Sequence, residues 1–200
     1  RPSLEEAEKI REAILDAAQT LFLSLGYAEA TIDGIALLAQ TTRRSVVHRF
    51  PAKEDLLIAA VERKIAEMLE VMIVPEPESD EDLLDALRGA FQRLLNKVLE
   101  PRTLGYLRLM MNEVVRFPRI GEMIIAWNEA LVASYVRLIL RAQDAGYFRR
   151  FNAKTIAHMG IGVMLSNPAN RGIFGDETFH SEHSIDLYFS EMWAVFLTMA

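Results

Sequence analysis

The chain has 200 residues, 51% of them apolar, with a net charge of −6 and no cysteine. That length and apolar share suffice for a buried core and argue against disorder, while the missing thiols remove disulfides and thiolate metal sites and suit a reducing cytoplasm. An acidic total argues against a protein that coats nucleic acid with its whole surface, and no apolar run of about 18 residues or signal-like N-terminus stands out, so the chain is expected to be soluble and cytoplasmic, with no membrane partner.

Helical periods fill nearly the whole sequence and no alternating strand pattern is convincing, so the expected fold is all-α with about nine helices. The first helix carries Ile10, Ile14, Ala17, Leu21, Phe22 and Leu25 on one stripe and stops at Gly26. Thr31 caps a short second helix with Ile32, Ile35, Ala36 and Ala39 turned inward. Gln40 and Thr41 turn the chain, Thr42 caps a third helix over about 43–50, and Pro51 ends it. A fourth helix is expected over 53–74, ended by the acidic stretch PEPESDED, in which Ser79 and Asp82 stand at capping-box spacing. A fifth is expected to about Leu99, followed by helices over 101–117 and 118–145 whose prolines suit a first turn. Asn152 caps an eighth, the stretch NPANRGIFGDETFH interrupts as a loop, and a ninth runs over about 182–199.

Positive charge is concentrated in one place. Arg43, Arg44, Arg49 and Lys53 give residues 40–53 a net +4 with no acid, which leaves −10 for the rest of a chain whose total is −6. Two short capped helices joined by a tight turn, the second basic, have the proportions of a helix-turn-helix, whose second helix enters the major groove. Ile35, Ala36, Ala39, Val46 and Phe50 supply the buried side, and Arg43 and Arg44 at the helix start can reach guanine edges or phosphates. Taken alone, a basic cluster is more commonly an ordinary solvated helix face; the order of stops, caps and turns around it favours DNA.

That order and the residues resemble the TetR family of transcriptional regulators. The resemblance covers about residues 10–57, including AILDAAQTLFLSLGYAEATIDGIALLAQTTRRSVVHRFPAKEDLL, and is most specific at 22–27, at Thr31, Ile32, Ile35 and Ala36, and at His48, Phe50, Pro51, Lys53, Glu54 and Leu56. It implies that Thr31, Arg43, His48 and Lys53 contact the DNA backbone or nearby bases and that Arg44 and Ser45 read bases. Thr42, Val47 and Arg49 complete the candidate face, and Tyr27 fits either packing or DNA contact. The chain departs from the family at Gln40, where Gly is usual, at Thr41, where an apolar residue is usual, at Val47, where an aromatic residue is common, and at Arg44, where many members have a small residue.

The expected division is a DNA-binding domain over 1–52 and a ligand-binding and dimerisation domain over 53–200. In the latter, Met68, Met72, Phe91, Leu95, Tyr106, Met110, Met111, Phe117, Trp127, Leu131 and Tyr135 are candidates for an adaptable apolar pocket, with Glu113 and Asn128 among its polar groups and Asn112 and Arg116 nearby. Glu113 and Arg116 also stand at ion-pair spacing. RLMMNEVVRFPRIGEMI resembles the C-terminal domain of multidrug-type and AefR-like members, and the family resemblance implies an inducer pocket there. The last helix is apolar on more than one face, so Gly160, Met164, Tyr188, Phe189, Met192, Trp193 and Phe196 are the candidate homodimer interface.

His180 and His183 with Glu182 and Asp176 lack the spacing of a zinc helix, and no nucleophile elbow, phosphate loop or dinucleotide glycine pattern is present. No catalytic residue, metal or cofactor is expected. The expectation is a dimeric, ligand-responsive repressor of a palindromic operator, released by a small apolar or amphipathic effector; a helical ligand-binding protein that never touches DNA is the alternative.

Overall fold

The computed structural model describes residues 3–71, 77 and 79–199. Among them stand nine α-helices and no strand: α1 Leu4–Glu29, α2 Ile32–Leu38, α3 Arg43–Arg49, α4 Lys53–Val71, α5 Leu83–Leu99, α6 Pro101–Glu113, α7 Pro118–Asp144, α8 Ala153–Ile173 and α9 Glu182–Met199. They divide into two compact units, Arg1–Ala66 with Gly105–Met123, and Glu67–Leu104 with Ile124–Ala200. Most of α4 and the α6–α7 corner belong to the same unit as the first three helices.

In the first unit α1 opens with a full capping box: Glu6 N–H donates to Ser3 Oγ at 3.2 Å and Ser3 N–H donates to Glu6 Oε2 at 2.7 Å. Gly26, at φ 82° and ψ 167°, breaks the helical path and the last turn resumes through Glu29. Ile14, Ala17 and Phe22 of the expected stripe are buried, joined by Leu15 and Ala18, whereas Leu25 is exposed. On the neighbouring face of α1, Glu12, Asp16 and Gln19 receive Arg63 of α4, at 2.9 Å for Glu12 and 2.7 Å for Asp16. That fork of charge-assisted bonds fixes α4 along α1.

The core of the second unit is a cluster of aromatic rings. Phe91 of α5 stacks on Tyr135 of α7 with centroids 4.4 Å apart and meets Phe196 of α9 edge-on at 5.6 Å; Phe148, Phe189 and Trp193 extend the cluster. Burial pushes the Tyr135 hydroxyl pKa well up. Gly160 of α8 lets the rings approach, since a Cβ there would lie 2.5 Å from Phe91 Cζ.

Several boundaries differ from expectation. Ser79 makes no backbone cap; its hydroxyl donates to Asp82 Oδ2 at 2.7 Å beside a short 3-10 turn. α6 stops a turn early, so Glu113 and Arg116 form no ion pair and the guanidinium lies over Tyr27 and Phe117, 5.2 Å from each ring. α8 continues through Pro168 to Ile173, because Met164, Leu165, Pro168 and Gly172 fall on one buried face whose packing outweighs the missing N–H. α7, 27 residues with an 18-residue stretch of mean hydropathy 1.5, is long and apolar enough to cross a membrane by length and composition, contrary to expectation. It packs Leu131, Val132, Tyr135, Leu138 and Ile139 inward and pairs Glu129 with Lys154 at 2.7 Å.

Candidate nucleic-acid interface

Two caps shape the reading motif. Thr31 Oγ1 accepts from Gly34 N–H at 3.0 Å and Thr42 Oγ1 accepts from Ser45 N–H at 3.1 Å, so α2 and α3 each begin at the residue whose hydroxyl satisfies an orphan amide. Ile35 and Val46 are fully buried and Ala36 and Phe50 nearly so, which turns the remaining sides of α3 outward. Between the helices Gln40 adopts φ 51°, the left-handed region that glycine occupies without strain.

The outward side chains are not equally free. Arg44 and His48 are exposed and make no hydrogen bond or ion pair with the described residues. Arg43 pairs with Asp33 at 2.6 Å, both side chains exposed, a contact that water and salt weaken and phosphate can replace. Arg49 folds back on its own helix and donates to Ser45 Oγ at 2.8 Å and Ser45 O at 3.2 Å. Val47 is exposed and offers no donor. Lys53 turns away from solvent: its Nζ donates to the carbonyls of Tyr27, Ala28 and Ala30. Tyr27 is buried, edge-on to Phe117 at 5.0 Å, and burial raises its hydroxyl pKa while Arg116 opposes the rise. Of its two expected roles, packing is the one these contacts describe.

The model for bacterial regulatory proteins of the tetR family matches residues 14–60, and that for the C-terminal domain of AefR-like transcriptional repressors matches residues 85–199. The chain belongs to the TetR family. Among curated proteins it is 31% identical over 104 residues to the HTH-type transcriptional regulator TtgR of Pseudomonas putida, covering 52% of this chain and 50% of that one. It is 28% identical over 123 residues to the regulator SrpR of Pseudomonas putida, 58% of this chain and 57% of that protein. The chain thus spans about half the length of these curated relatives. The fold matches a TetR-family regulator from Mesorhizobium loti with a TM-score of 0.84 at 21% identity over 96% of both chains, and the flavonoid-responsive regulator FrrA with a TM-score of 0.72 at 21% identity over 96% of both. The first of these models describes bacterial regulatory proteins and the second transcriptional repressors.

The expected pocket residues are divided between the units. Tyr106, Met110 and Phe117 are buried in the first, Phe117 against Tyr27; Met68, Phe91, Leu95, Leu131 and Tyr135 are buried in the second. Glu113 and Trp127 are half-buried, and Met72 lies outside the described residues. Met111 and Asn128 are exposed: neighbours on a helix point about 100° apart, so with Met110 inward Met111 turns out. A cleft of about 430 Å³ is elsewhere, lined by Asn96, Leu99, Glu100, Pro101, Phe179, His180, Glu182 and Ile185.

The expected dimer residues lie on α8 and α9. Gly160, Met164, Phe189, Trp193 and Phe196 are buried inside the protomer, where the aromatic cluster uses them up. Met192 is half-buried, and the half-buried Tyr188 spends its hydroxyl on Val163 O at 2.7 Å. Exposed apolar side chains of α9 are Leu187, Val195, Leu197 and Met199. The sequence signal for them was present, since Leu187 and Val195 lie off the main stripe. Asp33 was missed, although an acid in the first turn of α2 beside a basic helix marks it as a partner for Arg43.

Proposed function

We propose that this regulator is a cytoplasmic homodimeric repressor that binds a palindromic operator and is released by a small apolar or amphipathic effector. One observation carries the reading: a doubly capped two-helix motif seals Val46 inside and leaves Arg44 and His48 outward with no partner among the described residues. In the groove Arg44 and Ser45 read bases, while Thr31, Thr42, Arg43 and His48 hold the backbone. Arg43 exchanges Asp33 for phosphate, and Arg49 and Val47 shape the same face.

Two reading helices must be held about one DNA turn apart, which requires a dimer. The outer stripe of α9, Leu187, Glu191, Ala194, Val195 and Thr198, supports such an interface, because it joins exposed apolar side chains at helical steps. Gly162 and Ser166, one turn apart on α8, give a second helix with a small-residue side. Support for an effector comes from Trp127, whose buried Nε1 has no acceptor among the described residues, and from the buried Met68 of the same unit. FrrA, the neighbour of similar fold, is described as responsive to flavonoids, which fits a flat amphipathic ligand here.

Selection of bound duplexes from a randomised pool tests the reading. A palindromic consensus is expected, and Arg44→Ala should lose about 1–3 kcal/mol on it while relaxing one position in each half-site. Failure to retain any duplex at low salt would favour a ligand-binding protein that does not touch DNA.

A further inference from the structure

Lys53 opens α4, four residues after the end of α3, and the three carbonyls it meets lie just before Thr31, the cap of α2. The distances from Nζ are 2.7 Å to Tyr27 O, 3.0 Å to Ala28 O and 2.9 Å to Ala30 O. The chain leading into the helix-turn-helix and the chain leaving it are therefore joined at one ammonium. Lysine has three N–H bonds and no acceptor, and here all three have acceptors inside the protein. The Tyr27 ring covers the same group, its centroid 4.4 Å away. Carbonyls at the end of a helix are orphan acceptors carrying partial negative charge, so a cation is the fitting partner.

We propose that Lys53 is a positioning residue for DNA recognition, closing the base of the reading motif, and not the phosphate contact that the family resemblance implies. A phosphate would have to displace a carbonyl already bound. Without the ammonium, α2 and α3 keep their caps and Val46 stays in the core, so the motif folds; its two ends are no longer tied and the pose of α3 loosens. Base reading depends on that pose, whereas non-specific attraction depends on charge.

The inference rests on the DNA-binding reading, and the test separates the two. With the full chain, affinity is measured against salt on the tightest duplex from a randomised selection and on a scrambled duplex of the same length. Wild-type protein that binds neither overturns the DNA-binding reading and this inference with it. With Lys53→Met, specific affinity should fall about tenfold or more, as for loss of charge-assisted bonds, while affinity for the scrambled duplex and the salt slope stay as in wild type. Lys53→Arg should not restore specific binding, because a planar guanidinium cannot aim three N–H bonds at three converging carbonyls. If the methionine variant fails to fold, Lys53→Gln, with two amide N–H bonds, serves instead and should give the same pattern with a smaller loss. A slope lower by about 0.9, equal weakening on both duplexes and rescue by arginine would assign Lys53 to phosphate and overturn the proposal. So would unchanged DNA affinity accompanied only by a lower melting temperature.

Discussion

Helix α3 has one fully buried side chain, Val46, and its other sides are polar or exposed; α9 buries Phe189, Trp193 and Phe196 and still leaves Leu187, Val195, Leu197 and Met199 outside. A helix with a single apolar position has only one way to face its core. A helix apolar on two sides needs two covers, and its sequence does not say which cover the same chain supplies. Shape decides it: the large rings fit the pocket that Gly160 opens beside Phe91, and the smaller branched side chains are left for another surface.

The largest expected effect sharpens that division. Phe196→Asp should cost about 3–5 kcal/mol or more, through the lost ring and a buried charge, and appear as unfolding in urea. Val195→Asp, on the exposed side, should change protomer stability by no more than about 0.5 kcal/mol yet halve the mass seen in sedimentation. A Phe196→Asp protein that stays folded and merely becomes monomeric would return the interface to the aromatic side. A dimeric Val195→Asp protein would move it off this part of α9.

What the sequence made legible was local. Thr31, Thr42 and Asn152 cap as expected, Pro101 and Pro118 begin helices, and α9 spans its expected residues. Each signal needs only a few neighbouring residues. Choices requiring distant partners were not legible. Pro168 reads as a breaker until the buried face around it is known. Arg49 and Lys53 read as free cations, although one bends back to Ser45 and the other ties α4 to the end of α1, where its acceptors are backbone atoms that no side-chain pattern reveals. The outward face of α3 was thus legible in position, and only partly in which of its charges have partners inside the protein.

Two glycines on one helix bring the same contrast to a single methyl group. At Gly160 a Cβ would meet Phe91 Cζ at 2.5 Å and Phe196 Cε2 at 3.1 Å, and both rings are locked in the cluster. Gly160→Ala should destabilise by about 1–3 kcal/mol. At Gly162 nothing lies within 4 Å, so alanine should stabilise the isolated protomer by up to about 1 kcal/mol through helix propensity. Running both denaturation series at low and high protein concentration adds a reading of the outer face. If Gly162→Ala stabilises dilute protein yet weakens association, Gly162 lies where the second copy packs; stabilisation independent of concentration removes it from the interface.

The smallest effect concerns the turn between α2 and α3, which serves both folding and recognition. Gln40 N–H donates to Leu37 O at 3.1 Å and Thr41 N–H to Ala36 O at 2.9 Å, the paired bonds of a Schellman ending. That ending places Gln40 at φ 51°, where a side chain costs about 1–2 kcal/mol relative to a right-handed residue. Gln40→Gly removes the strain but gives the unfolded chain more freedom, so the net gain should be about 0.5–1 kcal/mol, read as a rise in melting temperature. Asparagine should fall between glutamine and glycine, and valine should destabilise, since a β-branched residue tolerates this region poorly. A flat series would mean that the turn relaxes away from φ 51° in solution. The same variants probe recognition, because the turn aims the start of α3. If Gln40→Gly stabilises the protein without altering affinity for the selected duplex, the strained glutamine has no part in reading DNA, and the departure from the usual glycine is a cost to stability alone.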